Sequence, residues 1–512
     1  MIQIQRHING AWETEGSSEP SGLPTGMFGV EWKSDHESPA LKRFQPSEEG
    51  PTTGMINALK HGRITFYRPR GRIGHTETVL DFYSFSEALA YSSWPKHMKV
   101  RIIDTERTNV DFYDGTALFY GYVDRHTWNE DTKTVRVTLR DYLYRKKDME
   151  THGELFVNKT VSQILEYYAK DAQRGMGFHT TRYLPDAGSA KYDPTIPYLY
   201  IEPDTPYHQI LNDMAEALGG KLYQSPGREN PTLIVEFGSL YANPAAYAST
   251  ALVSLTENQS KDIDIEYPPR EYNEFVVKSY SKEIKVDVIH LATMDNGFKI
   301  PSAGVGVAPK EHYIEFSMPV LKILENNIDF VGCPGVTFDT NLYNTNFIDN
   351  NPSGYLKNPN RIQVRFTNSS GNPRELSKWN IKVEGVDEQM IEVAHDVSSG
   401  DDWHRKWELD SKIISQDNDW HKRRMNYEMA MLNNEAGFKI VDPSVQPYVG
   451  PRTSAQSQPE YVIDLSGAKI EAEELSYNID RKIWEVWGRV DRSAYNPTEL
   501  TKEGGATGDK PT

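Results

Sequence analysis

Residues 110–141 read VDFYDGTALFYGYVDRHTWNEDTKTVRVTLRD, and this stretch decides the fold class. Asp114-Gly115 stands between Val110-Asp111-Phe112-Tyr113 and Ala117-Leu118-Phe119-Tyr120. Asp-Gly supplies the positive backbone angles of a tight two-residue hairpin. A polar turn follows at Asn129-Glu130-Asp131, after which Val135, Val137 and Leu139 alternate with polar residues. That is the period of a half-buried strand. The stretch predicts consecutive strands of an antiparallel meander or small barrel.

Downstream the period changes from two to 3.6. Thr160 and Gln163 form a capping-box pair, with Val161, Ile164, Leu165 and Tyr168 on one helical face and Gly175 as a stop. A second helix opens with Thr205 as cap and Pro206 in its first position. It carries Tyr207, Ile210, Leu211, Met214 and Leu218 on its apolar face and ends at Gly219-Gly220. Two strands follow, Lys221-Leu222-Tyr223 and Thr232-Leu233-Ile234-Val235, joined through Ser225-Pro226-Gly227. Residues 150–240 thus predict a compact α+β unit.

Strand signals return at Glu274-Phe275-Val276-Val277, at His312-Tyr313-Ile314-Glu315-Phe316 and at Ile362-Gln363-Val364-Arg365-Phe366. Residues 340–360 read as a long surface loop rich in asparagine and aspartate. A helix is expected over 418–436, with Trp420, Arg424, Tyr427 and Met431 on one stripe and Gly437 as its stop. A hairpin pair closes the fold, Lys469 to Tyr477 and Lys482 to Val490, turning at Asn478-Ile479-Asp480. Its spacing echoes the stretch from Leu118 to Leu139, which shared hairpin grammar explains as well as duplication does. Upstream, residues 12–55 are rich in Ser, Glu, Pro and Gly and read as an extended arm or large loop.

The chain has 512 residues, room for about three or four domains of ~100–200 residues. Hydrophobic residues make up 38%, enough to bury sizeable cores. The 36 glycines, 30 prolines and 29 tyrosines favour a β-rich architecture over a helical bundle. A net charge of −17 repels phosphate backbones, which argues against a dedicated nucleic-acid binder. Solubility explains that charge, and so does a channel through which DNA passes without sticking. A single cysteine, Cys333, allows neither an internal disulfide nor a thiolate cluster. The opening Met1-Ile2-Gln3-Ile4-Gln5-Arg6 has no apolar signal core, and no run approaches 18 apolar residues, so neither a standard export signal nor a membrane span is expected.

Catalytic motifs are weak throughout, and no catalytic, cofactor-binding or metal-binding residue is assigned. The protein is expected to be no enzyme and to hold no cofactor. His75-Thr76-Glu77 and His152-Gly153-Glu154 set a carboxylate two residues from an imidazole but lack the cysteines of a zinc deaminase site. Cys333 lies in a turn-like Val331-Gly332-Cys333-Pro334-Gly335, the setting of an unreactive thiol. Gly304-Val305-Gly306 lacks the third glycine of a dinucleotide loop. Asp262, Asp264 and Glu266 alternate along one strand face, where a solvated edge that discourages wrong pairing outweighs calcium binding. Lys422-Arg423-Arg424 read as a solvated or subunit-contacting helix face rather than a phosphate site.

The order of elements carries a family resemblance. Asp111 through Val123 resembles the outgoing and returning strand pair of phage tail hub proteins, followed by Val135-Arg136-Val137-Thr138-Leu139-Arg140-Asp141. Next come a helix opening Thr160-Val161-Ser162 and the stretch from Thr205-Pro206-Tyr207 to Lys221-Leu222-Tyr223. Glu271-Tyr272-Asn273-Glu274 resembles the opening of the family's following β domain, and Ile362 through Asn368 a strand within it. The arm before residue 55 has no counterpart there.

The resemblance implies a mainly β, multi-domain chain in which an α+β unit is inserted between antiparallel, tail-tube-like β-barrel domains. It divides the chain into an N-terminal strand and extended arm (1–55), a first tube-like barrel domain (56–149) and the α+β domain (150–240). A second β domain with long loops (241–410), a helix with C-terminal hairpins completing a barrel (411–496) and a polar tail (497–512) follow. It implies a homotrimer at the distal tip of a virion tail, assembled in the bacterial host cytoplasm. Its partners would be the tail tube, distal tail proteins and a tip, spike or fibre, with DNA only in transit through the lumen. A carbohydrate-binding tail adhesin or adaptor is the alternative, and a cell-wall-degrading tail enzyme a more distant one.

Overall fold

A computed structural model describes residues 2–8, 11–14, 59–83, 87, 94–104, 117–146, 148–170, 178, 180–184, 193–225, 232–236, 253–255, 262–266, 272–291, 298–302, 310–316, 318–323, 329–330, 336–341, 361–376, 379–397, 405–414, 419–441, 462–465, 468–481 and 483–491. The Asp114-Gly115 turn, the arm beyond Thr14, the Gly175 stop, the 340–360 loop, Gly304-Val305-Gly306 and Cys333 lie outside these residues.

The chain is mainly β, with antiparallel sheets curled into half-barrels. Among the described residues its largest sheet has 13 strands drawn from both ends of the sequence. The stretch that opened the sequence reading forms the hairpin Ala117–Asn129 and Thr134–Asp141 at its heart. Alternation decides which face is buried. In the neighbouring strand His75–Tyr83, Thr76, Thr78, Leu80 and Phe82 are buried while the residues between them are half-exposed. Those inward residues meet Ile64, Phe66, Val135, Val137 and Leu139 in one core. Leu475, Tyr477, Trp484 and Val486, from some 340 residues further on, complete the same core.

Between these two parts of the sheet the chain makes an α+β unit around a second core. A short helix α1 (Tyr142–Lys146) leads into the antiparallel pair Glu150–Thr160 and Thr195–Pro206. Helix α2 (Val161–Lys170) opens with the expected capping box: the Thr160 N–H donates to Gln163 Oε1 (3.1 Å) and the Gln163 N–H to Thr160 Oγ1 (3.3 Å). Helix α3 (Tyr207–Leu218) begins one residue later than the sequence predicts. Pro206 holds the cap position with extended backbone, and the Thr205 hydroxyl donates to the Glu202 carbonyl (2.7 Å) instead of capping the helix. Gly219 ends it in the left-handed conformation (φ 59°), as glycine does without steric cost.

The strand signal at Glu274 extends much further than the sequence reading. Glu274–Leu291 and Trp379–Val397 form an antiparallel ribbon of 18 and 19 residues. Its base packs through Phe275, Val277 and Ala394 into the second core. Ile284, Val286, Met390, Ile391, Val393 and Val397 are exposed along it.

Helix α4 (Trp420–Asn434) is shorter than predicted and passes directly into the strand Glu435–Val441. Gly437 does not stop the helix; it lies inside that strand, paired with Arg489 on one side and Glu266 on the other. Nor is the basic triplet on α4 uniformly solvated. Lys422 is exposed, but Arg424 is buried, donating from Nε to the Glu216 carbonyl (2.8 Å) and from Nη1 to Glu428 (2.5 Å).

Candidate assembly surface

The large sheet consists of two half-sheets built to one plan. In the first, the strand order is Leu59–Tyr67, His75–Tyr83, Thr134–Asp141, Ala117–Asn129, Lys99–Asp104, Ile2–Ile8, with Ala11–Thr14 as an added outermost strand. In the second it is Asp262–Glu266, Glu435–Val441, Ile483–Asp491, Ala468–Asn478, Val462–Leu465, Val253–Leu255, the last pair running parallel where Lys99–Asp104 and Ile2–Ile8 run antiparallel.

The central hairpins agree residue by residue. Adding 349 to a residue number carries the first onto the second, so Asn129↔Thr134 becomes Asn478↔Ile483. Both turns have four residues, and in both an asparagine accepts a backbone N–H three residues on: Thr132 to Asn129 Oδ1 and Arg481 to Asn478 Oδ1, each 3.0 Å. Five pairs beyond the turn both ladders carry a bulge, at Asp124 and at Glu473, counterparts under the same shift. A bulge at a matching place re-aims the strand in the same way twice. Shared hairpin grammar would not reproduce the turn, its cap and the bulge together; two copies of one half-barrel do.

The halves meet where residues 474–478 pair antiparallel with residues 63–67. Phe66 stacks on Trp484 (centroids 6.1 Å, 20° between planes), and Trp484 lies 4.6 Å from the Tyr477 ring. At the rim Arg63 Nη2 meets Glu485 (3.2 Å), and Asp480 Oδ1 accepts from the Gly62 N–H (3.0 Å).

The α+β unit fastens this sheet with buried polar bonds. Lys221 is 1% exposed and donates from Nζ to the Ala472 carbonyl (2.9 Å) in the second half. Gln224 accepts from the Tyr142 and Leu143 N–H groups of α1 and donates to the Tyr120 carbonyl in the first half. Arg68 is fully buried over the Tyr223 ring (4.6 Å) and donates to the carbonyls of Tyr67 and His75 and to Thr76 Oγ1. Asp141 caps α1, accepting from the Tyr144 N–H (2.9 Å) and the Thr76 N–H (2.6 Å). Burial pushes its carboxyl up to about 6, against the pull of those two N–H groups and of Arg68. Nothing local in the sequence marks Lys221, whose partner Ala472 lies 251 residues on; Asp141 joins a local cap bond to Tyr144 with the distant Thr76 N–H.

The motifs weighed in the sequence are dispersed. The His75 ring stacks on Tyr67 (4.6 Å), while Glu77 pairs with Arg140. Glu154 is buried and accepts the Tyr168 hydroxyl (3.0 Å). Asp262, Asp264 and Glu266 do occupy one strand, at the end of the large sheet. Among the described residues no group of three His, Cys, Asp or Glu is placed to hold a metal ion, and no helix is long and apolar enough to cross a membrane. A cleft of about 390 Å³ lies between strand Thr195–Pro206, α3 and residues 410–413, lined in part by Tyr200, Glu202, Asp213, Glu216, Asp410 and Lys412. Burial and then the Glu216 charge push Asp213 up to about 6.

The solved structures this chain is similar to include phage tail proteins and type VI secretion system proteins. The 43 kDa tail protein of prophage MuSo2 from Shewanella oneidensis is 12% identical, with 96% of this chain and 98% of that one covered at a TM-score of 0.43. A tail protein from Neisseria meningitidis MC58 is 10% identical, with 97% and 99% covered at 0.45. A component of the type VI secretion system of E. coli, described as structurally similar to the T4 tail proteins gp27 and gp5, is 9% identical, with 88% and 79% covered at 0.36. No protein-family model matches the chain, and no curated protein sequence does.

Proposed function

We propose that this chain is a structural virion component, the hub at the distal end of a phage tail. In this reading it joins a six-fold tail tube to a three-fold tip, spike or fibre and lines the DNA exit channel. The observation that carries the reading is the repeated half-sheet. Two half-barrels of one strand order and one hairpin register give each chain two like surfaces, so three chains present six. A ring of that kind offers six-fold matching on one side while remaining a three-fold object on the other. The exposed apolar residues of the long ribbon supply further contact surface, since patches of this kind on a protein exterior commonly mark contact sites. At −17 per chain a trimer carries −51, and part of that charge is proposed to face the lumen, where it keeps passing DNA from adhering.

Light scattering on the purified chain tests the reading. Three copies of a 58.4 kDa chain give about 175 kDa. A mass of one chain at micromolar concentration contradicts the hub. The chain is proposed to have no chemistry of its own: a peptidoglycan zymogram should stay dark, and a cleared band would move the function to the acidic cleft beside Asp213.

A further inference from the structure

The two half-sheets are used unequally. In the second half, the hairpin strand Ala468–Asn478 takes two neighbours along one edge: Val462–Leu465 beside residues 468–471, and residues 63–67 of the first half beside residues 474–478. In the first half the counterpart strand Ala117–Asn129 takes Lys99–Asp104 beside residues 117–122. Residues 127–129 pair with no second strand on that edge among the described residues. Asp262–Glu266 is the opposite case. It stands where Leu59–Tyr67 stands in the other half, yet it ends the sheet with one described neighbour.

Register equivalence makes the match specific. Arg140 pairs with Glu77, which pairs with Thr65. Its counterpart Arg489 pairs with Gly437, which pairs with Glu266. Glu266, Ile265 and Asp264 therefore hold the places of Thr65, Ile64 and Arg63. Likewise Thr127, Trp128 and Asn129 hold those of Ser476, Tyr477 and Asn478.

We propose that residues 127–129 of one copy pair antiparallel with strand Asp262–Glu266 of a second copy, repeating between chains the joint that residues 474–478 and 63–67 make within one. The register is Thr127 opposite Glu266, Trp128 opposite Ile265 and Asn129 opposite Asp264. This inference rests on the hub reading for the presence of further copies and adds which edges meet.

Two features support it beyond the template. Tyr477 is 2% exposed where Ile64 covers it, while its counterpart Trp128 is still half-exposed at the margin of the same core, and the new joint sets Ile265 against it. Charge is complementary and reversed relative to the internal joint. Where Arg63 meets Glu485 within the chain, the counterpart positions are Asp264 and Arg136. Arg136 already pairs with Asp81 (2.8 Å) but keeps 62% of its side chain exposed, beside exposed Arg125, while Lys133 lies 3.8 Å from Glu130 in the turn. The alternating carboxylate positions at 264 and 266 would come beside Arg136 and Arg125. Because the two edges lie on different halves, the contact is head-to-tail, and such contacts close into rings when the rotation permits.

Disulfide trapping tests this in a Cys333→Ser background. One variant carries Thr127→Cys with Glu266→Cys and another Trp128→Cys with Ile265→Cys. Adjacent ladder pairs alternate between wide and narrow spacing, so one of the two suits a disulfide. Oxidation should convert most of the chain to covalent multimers in at least one double variant, with none in the corresponding single variants. A disulfide that leaves the chain at monomer mass overturns the joint, as does an assembly of measured trimer mass in which neither pair cross-links; in both cases the hub reading survives if the trimer mass stands. A chain that light scattering finds monomeric overturns both.

Discussion

If the two half-barrels form one cooperative body, Phe66 and Trp484 must be energetically coupled across the joint. The rings come from opposite halves, are 0% and 2% exposed, and stack at 6.1 Å. Replacing Phe66 by leucine or Trp484 by leucine removes apolar volume from a filled core, at about 1–3 kcal/mol each. An aromatic pair in this geometry contributes about 0.5–1.5 kcal/mol beyond its buried area. Either single change already forfeits that share, so the double variant should lose less than the sum of the singles by about that amount. Urea unfolding followed by far-ultraviolet circular dichroism on the four proteins of the cycle gives the number. Pairing Phe66→Leu with Leu165→Ala, in the other core, provides a control that should add within about 0.3–0.5 kcal/mol. Additivity of Phe66 and Trp484 within that same margin, or a separate second transition that Phe66→Leu leaves unmoved, would refute the shared core.

Three further outcomes follow from the same contacts. Asp141 is raised from 3.8 to about 6, so between those values the folded chain holds a proton that the unfolded chain has released; stability should rise as pH falls from 6.5 towards 4.5, by up to ~1.4 kcal/mol per unit from this group. Asp213 shifts in the same direction, and Asp141→Asn should flatten the slope of urea midpoint against pH without abolishing it; an unchanged slope removes Asp141 from the account. Gly219→Ala forces an L side chain into φ 59° at the end of α3 and should cost about 1 kcal/mol, read as a lower melting temperature. Gly121→Ala would drive a methyl into the Arg140 carbonyl and the Phe119 ring inside the central hairpin, costing about 1–3 kcal/mol by denaturant titration, whereas Gly371→Ala, with open space around it, should be near neutral.

Elements made by near neighbours were legible in the sequence. The hairpin at 117–141, the capping box at Thr160 and Gln163, the stop at Gly219 and the closing hairpin each rest on residues within a turn or two of one another. The misreadings occurred where distant partners decide. Gly437 looked like a helix stop because glycine usually is one, but here it sits between Arg489 and Glu266, and the helix ends at Asn434 without it. Three apolar residues in Glu274-Phe275-Val276-Val277 announce a short strand, while the exposed outer ribbon is held in register by its partner more than by burial. Arg424 read as solvated from its charge, yet Glu428 and the Glu216 carbonyl satisfy it inside the protein. The half-sheet repeat was only a faint echo in the letters, since Val123 and Ala472, or Trp128 and Tyr477, match in place and hardly in identity. Register, not composition, carries the repeat.

Electron microscopy of the purified, full-length chain addresses the claim on which the rest depends, that doubled half-barrels exist to build a connector around a lumen. The expected class averages show a closed ring of three copies with six similar lobes and an open centre. Compact single particles without a central opening, or an open filament that never closes, would contradict it.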